Sequence, residues 1–209
     1  MAEKFDIVHS RGLALPQDDI DTDIIFPARF LLITEKRGLG RYAFYEWRFG
    51  ANGAPLAQSP FPASDFNDAR ILVAGANFGC GSSREHAVWT LKDLGIRAIL
   101  APNFGEIFRT NCFNNGVLAV TLPLELIAEL TGQAAAGAAL TVDLLERQIV
   151  DANGALHSFE IEDWRREALL EGWDEIDTIR NRYAGVIADF EREQRNRMPW
   201  LWNKEDIDG

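Results

Sequence analysis

Residues 77 to 87 read Asn-Phe-Gly-Cys-Gly-Ser-Ser-Arg-Glu-His-Ala, between the apolar run Ile71 to Ala74 and a stretch with helical spacing. Residues of these types in this order can bind an anion. Gly79 and Gly81 let the backbone turn sharply at the end of a buried strand. Ser82 or Ser83 then opens a helix whose unpaired N–H groups and positive dipole end face that turn. A hydroxyl, the Arg84 cation and a helix N-terminus so close together could hold a carboxylate and stabilise an alkoxide. Ser82-Ser83-Arg84-Glu85 fits equally a capping box, in which the Ser82 and Glu85 side chains only satisfy the helix's own N–H groups.

Other glycine-loop chemistries fail on spacing. Gly79-x-Gly81-x-x-Arg84 lacks the third glycine of a dinucleotide fingerprint, and no Gly-Lys-Ser/Thr follows to make a phosphate loop. A Gly-x-Ser-x-Gly elbow is absent, which weakens a hydrolase-type serine. Cys80 near a helix start could have a lowered thiol pKa, but a catalytic cysteine needs a histidine base, and spacing alone does not bring His9, His86 or His157 to it.

The elements that must position these residues are those of a single α/β domain spanning 1–209. A chain of 209 residues with 47% hydrophobic content supports one sizeable core. The N-terminus has no basic region followed by an apolar run, and no stretch of roughly eighteen apolar residues occurs, so a soluble cytoplasmic protein is expected. Two cysteines, Cys80 and Cys112, give neither a disulfide framework nor a Cys-x-x-Cys pair, in keeping with a reducing compartment. The formal charge of −11 argues against nucleic acid and anionic membranes as partners. It does not forbid an anionic substrate, because fields decay over about 8 Å at physiological salt and local arginines decide what a site sees.

Along the chain, Phe5 to Leu15 reads as a strand ending at Pro16. The acidic run Asp18 to Asp23 reads as a solvated turn; Asp19, Asp21 and Asp23 match the first positions of a calcium loop, but Ile24 and Phe30 replace its glycine and closing glutamate. Residues 50 to 65 form a long irregular connection rich in glycine and proline. From Ile71 the pattern is α/β: a strand, the glycine turn, and a helix with Ala87, Val88, Leu91 and Leu94 on one face, closed by Gly95. Strands follow at 96–100, 117–121 and 140–145, alternating with helices at 104–111 and 124–130, and Ala134 to Gly137 reads as a flexible patch. Arg147 to Val150 and Leu156 to Ile161 flank Asn153-Gly154, a hairpin signal. Residues 162–209 form a helical C-terminal extension in which Ile176, Ile179, Tyr183, Val186 and Phe190 mark one long amphipathic helix.

Four blocks carry a resemblance: Asp21-Thr22-Asp23-x-x-x-Pro27; Gly38-Leu39-Gly40 with Phe44-Tyr45-Glu46-Trp47-Arg48; Asn77 through Ala87; and Asn111-Cys112-Phe113-x-Asn115-Gly116-x-Leu118. In these the chain resembles the small subunits of 3-isopropylmalate dehydratase, of the aconitase superfamily, and the tail ending Pro199-Trp200-Leu201 is similar too. The resemblance implies an α/β swivelling β/β/α domain like the aconitase C-terminal domain. It also implies a hydro-lyase of leucine biosynthesis that interconverts 2- and 3-isopropylmalate by dehydration and rehydration. The partner it implies is a large subunit carrying a 4Fe-4S cluster. Such clusters need three cysteine ligands and this chain has two, so neither cofactor nor metal is expected in the chain itself.

The resemblance also assigns roles. Ser82 matches a proton-abstracting serine whose alkoxide must be stabilised by the helix N-terminus and Arg84. Arg84 matches an arginine that grips a substrate carboxylate, Ser83 bonds the same carboxylate or caps the helix, Thr22 is expected among the substrate-binding residues, and Asp23 beside it is expected as a catalytic residue with an orienting role. His86 and Glu85 are read as support. The segment from Phe30 to Ile33 is expected to touch the substrate's variable group, and apolar Leu32, where an arginine would accompany a third carboxylate, favours with Ile33 an isopropyl group; ordinary core packing explains them equally. Ile24, Asp19 and the segment from Arg29 to Thr34 depart from the usual small-subunit pattern. They leave open 2-methylmalate, citraconate or dimethylmalate as substrate, and a stand-alone anion-binding module remains the reading from another class. Trp47, Phe49 and the segment 55–62 are candidate interface residues or core.

Overall fold

The computed structural model describes residues 3–56, 59 and 68–202. Pro60 and Pro62 of the predicted irregular connection, and most of the candidate interface segment 55–62, lie outside the described residues. What precedes them is ordered locally: Gly50 donates to the Ala54 carbonyl at 2.9 Å and Phe49 bridges Pro55.

Among the described residues seven strands form one sheet in the order β4-β3-β2-β1-β5-β6-β7. Its parallel half comprises β1 (Ile7–Leu15), β2 (Ala69–Ala74), β3 (Ala98–Ala101) and β4 (Leu118–Thr121). Ile71, Leu72 and Val73 and all of β3 are buried, as expected of strands covered on both faces. Its antiparallel half, β5 (Ala139–Asp143), β6 (Gln148–Val150) and β7 (Leu156–Ser158), continues from β1. β1 alternates exposed and buried residues over its first half, because the antiparallel neighbours leave one face wet.

Two short helices, α1 (Thr22–Ile25) and α2 (Tyr45–Arg48), precede β2. The parallel crossovers are α3 (Glu85–Asp93) and α4 (Glu106–Asn114), and α5 (Leu124–Ala135) packs on β1 and β2. Ala134 belongs to α5 and is buried against β1, where a Cβ on Gly12 would come within 2.8 Å of the Ala134 Cβ. The expected flexible patch therefore begins, at Ala134, in a close helix–sheet contact that only small residues permit, and Ala135 to Gly137 are exposed at the helix end. The hairpin at Asn153-Gly154 is present, with Gly154 at φ +82, and the Asp151 carboxylate accepts the Asn153 and Ala155 amides at 2.9 and 2.8 Å.

The extension consists of α6 (Asp163–Glu171), α7 (Glu175–Arg182) and α8 (Ala184–Arg197). The single long helix read from the apolar stripe is thus two helices, broken at Tyr183 with φ −110 and ψ 18. The stripe that suggested continuity faces solvent: Ile176, Ile179, Tyr183, Val186 and Phe190 are all exposed. Periodicity marked a face, but nothing among the described residues buries it and enforces a straight axis.

Candidate active site

At the C-terminal ends of β1, β2 and β3 the hydrogen-bonded ladder continues into the loops. Gly75 donates to the Leu15 carbonyl at 3.0 Å, Asp19 to Ala76 at 2.9 Å, Gly79 to Ile20 at 2.7 Å and Thr22 to Cys80 at 3.0 Å. On the other side Gly105 donates to the Phe78 carbonyl at 2.9 Å. Gly79 sits at φ +72, and a Cβ there would be driven into the Phe108 ring, so both the turn and the helix behind it require glycine. Loops after the carboxyl ends of parallel strands are the usual place for a site in such sheets.

The acidic run is solvated as expected at Asp18, Asp19 and Asp23, and it also has specific partners. Asp18 accepts the Ala76 amide at 2.7 Å, Asp19 accepts the Asn77 side-chain amide at 2.8 Å, and Asp21 caps α1 by accepting the Ile24 amide at 2.8 Å. These carboxylates brace the glycine loop and open α1. Among the described residues no group of three or more His, Cys, Asp or Glu side chains could hold a metal ion.

Neither Ser82 nor Ser83 opens the helix. α3 begins at Glu85 with Arg84 as its N-cap, at φ −136 and ψ 102, without a side-chain cap, so the predicted capping box is not formed. The cause is upstream: Gly81 at φ +86 and a hydrogen bond of 2.8 Å from the Thr22 hydroxyl to the Ser82 carbonyl hold this stretch out of helical geometry. Ser82 and Ser83 are therefore exposed, immediately ahead of the first turn of α3 and its unpaired amides.

Arg84, with 17% of its side chain exposed, pairs with the half-exposed Asp23 carboxylate, whose Oδ1 also accepts the Ala28 amide at 3.2 Å. The structure thus brings together Ser82, Ser83, Arg84 and Asp23. Thr22 is only 2% exposed and its hydroxyl is given to Ser82, so it fastens the site rather than lining it. Leu32 is 94% exposed and cannot be core; Ile33 is partly buried beside it. Trp47, by contrast, packs on the core and stacks on Phe44.

His86 and Glu85 are each held by partners of their own. His86 stacks on Phe26 with centroids 5.5 Å apart and tilts against Trp89 at 4.6 Å. Glu85 accepts the side-chain amide of buried Asn115 at 2.7 Å, and Asn115 in turn accepts from the Trp89 indole at 3.1 Å and, at its carbonyl, from Lys92 at 2.6 Å. Sequence reasoning missed this role of Asn115, although it stands in one of the quoted blocks. It also missed Asp93, whose two carboxylate oxygens accept the Gly38 and Gly40 amides at 3.0 and 2.8 Å.

Cysteine chemistry is disfavoured here. Burial, then Asp21 and Asp19, push the Cys80 thiol up, and complete burial pushes Cys112 up. His9 on β1 bonds Thr141 on β5, and His157 on β7 lies 3.7 Å from Asp151. A cavity of ≈ 300 Å³ lined in part by Phe113, Trp164 and Trp173 takes in none of the Ser82 to Arg84 residues. The candidate site is an open surface rather than an enclosed pocket.

A sheet of this topology, with a Ser-Ser-Arg segment fastened to an Asp-Thr-Asp loop at its parallel end, defines the aconitase C-terminal domain class, and residues 3–125 match that family. The chain is 42% identical over 198 residues to 3-isopropylmalate dehydratase small subunit 1 of Bordetella pertussis, covering 93% of this chain and 98% of that one. It is 45% identical over 190 residues to the corresponding small subunit of Anoxybacillus flavithermus, covering 90% and 97%. The crystal structure of 3-isopropylmalate dehydratase from Methanocaldococcus jannaschii is similar with a TM-score of 0.64 at 27% identity, covering 88% of this chain and 99% of that one. The chain belongs to the family of 3-isopropylmalate dehydratase small subunits.

Proposed function

We propose that this chain is the small subunit of a cytoplasmic two-subunit hydro-lyase that interconverts 2- and 3-isopropylmalate in leucine biosynthesis. In this reading residues 1–209 form one swivelling domain with 162–209 as its helical extension. The observation that carries the reading is the junction of Arg84 with Asp23 and of Ser82 with Thr22, set on loops that the sheet holds rigidly. In this reading an iron-sulfur cluster would be held by the large subunit, where it would supply Lewis-acid chemistry. The residues of this chain do not fit such a group: there are two cysteines, one of them wholly buried.

This chain's own residues handle the proton and the carboxylate. Ser82 takes the proton from the carbon next to a carboxylate and returns it on rehydration. Its alkoxide is too basic to persist free at neutral pH, and the first-turn amides of α3 and the Arg84 cation lower that cost. Arg84, oriented by Asp23, has further N–H donors for a substrate carboxylate, and Ser83 adds one hydroxyl. Thr22 holds the Ser82 backbone in place. Exposed Leu32, with Ile33, meets the isopropyl group, whose burial contributes roughly 2 kcal/mol, whereas an unpaired carboxylate there would cost several.

The test is dehydratase turnover, followed by alkenoate absorbance, with this chain and the large subunit mixed anaerobically and supplied with 3-isopropylmalate. Turnover that disappears in Ser82→Ala, with the cluster intact, is the expected result. Turnover of 2-methylmalate alone would move the substrate and keep the mechanism, and full activity in Ser82→Ala would remove Ser82 as the base.

A further inference from the structure

We propose that Asp93 is a positioning residue for substrate selectivity, acting through the strap 31–38. The inference deepens the reading above and rests on it for its catalytic consequence. Asp93 is the last residue of α3, where the helix dipole is negative and a carboxylate is out of place on local grounds. What compensates it lies far away in sequence: Gly38 and Gly40 aim their backbone amides at its two oxygens, at 3.0 and 2.8 Å. Gly38 is at φ +80, and a Cβ on Gly40 would come within 3.1 Å of the Asp93 carboxylate, so both donors are shaped for this acceptor.

The segment is rooted by Phe30, which packs on Tyr42 and Tyr45 with ring centroids 4.4 and 5.1 Å apart, and by the Arg29–Glu46 ion pair at 3.0 Å; the contacts beyond Leu31 are sparser. At its entrance Asp23 Oδ1 accepts the Ala28 amide while pairing with Arg84, which places the base of the strap against the carboxylate grip. A short turn follows, with Phe30, Leu31 and Ile33 donating to Pro27, Ala28 and Phe30. Beyond it Lys36 lies over the Trp89 ring at 4.3 Å. The tip carries Leu32, wholly exposed and aliphatic, so the geometry is that of an apolar finger held at one end by Asp23 and at the other by Asp93. Asp93 touches no substrate; it fixes where the finger stands.

The experiment compares Asp93→Ala and Asp93→Asn with the wild-type complex on 3-isopropylmalate and on 2-methylmalate, after thermal melting of each free chain. Asp93→Ala is expected to lower kcat/KM on isopropylmalate on the order of tenfold to a hundredfold, while 2-methylmalate changes by less than about twofold. Asp93→Asn, which keeps one acceptor oxygen, should fall between, and it decides the matter if the alanine variant does not fold. Equal losses on both substrates, or none, would overturn the inference. Limited trypsin cleavage after Lys36 and Arg37 in the free chain reads the tether without catalysis. It should speed up in the variants at unchanged melting temperature, and an unchanged rate overturns the tether even if the wild-type complex turns over neither substrate. In that last case it is the proposed function that has failed.

Discussion

The Thr22 hydroxyl donates to the Ser82 carbonyl at 2.8 Å, joining the two loops that carry Asp23 and Arg84. The bond is buried on the Thr22 side, and it keeps Ser82 ahead of the helix rather than inside its first turn.

Thr22→Val keeps the shape and removes the donor. It should cost about 1 kcal/mol of stability. Turnover should fall on the order of a hundredfold, because the base is no longer fixed. Thr22→Ser should restore most of both. Denaturant melts of the free chain and initial rates of the complex check the two parts separately.

Gly79→Ala should destabilise the chain by about 3 kcal/mol or more, combining a positive φ with overlap of the Phe108 ring. Phe108→Leu in the same chain relieves only the overlap, so the double variant should recover part of the loss. Urea unfolding of the three variants gives the comparison.

Cys80 and Cys112 both have thiols pushed above the ordinary range, mainly by burial. At pH 8 the folded chain should therefore react slowly with iodoacetamide at Cys80, and at Cys112 only on unfolding. The sign for stability follows: below about pH 8.5 both states keep the thiols protonated and stability is unaffected. Above it the unfolded chain ionises at lower pH than the folded chain, whose thiols are raised, so stability falls as pH rises. Melting temperature measured from pH 7 to 10 in wild type and Cys112→Ala tests this; the variant should lose the larger part of the decline.

Leu32→Ala should leave stability within about 0.5 kcal/mol, since the side chain packs on almost nothing. In the complex it should lower kcat/KM on 3-isopropylmalate on the order of tenfold. A melting shift without a kinetic change would place Leu32 in packing instead.

Much of this architecture was legible in the residues. The buried strands at Ile71 and Ala98, the helical face of Ala87, Val88 and Leu91, and the turn at Gly154 all follow from local period and composition. The grouping of Ser82, Arg84 and Asp23 needed the resemblance, because spacing alone could not bring residue 23 to residue 84. What stayed hidden is of one physical kind. The start of α3 at Glu85 is decided by a bond from Thr22, the acidic run by donors on the glycine loop, and the place of Asp93 by two distant amides. Each local pattern pointed elsewhere or told only part: Ser-x-x-Glu suggested a cap, clustered aspartates only a wet turn, a helix-terminal aspartate nothing. The apolar stripe from Ile176 to Phe190 misled in the opposite way, by promising one long amphipathic helix where two form and the stripe stays exposed.

The ladder that runs past the strand ends has a consequence for amide exchange. The amides of Thr22, Gly79 and Gly105 belong to loops, yet each closes on a carbonyl of a neighbouring loop in strand-like fashion. They will hold their protons as the β1 to β3 ladder does and release them together with it, as one cooperative unit. Residues 34 to 37, without such closure, will exchange at rates of open surface. A partner arriving at this end therefore meets a floor that does not yield, with the segment tethered to Asp93 standing above it.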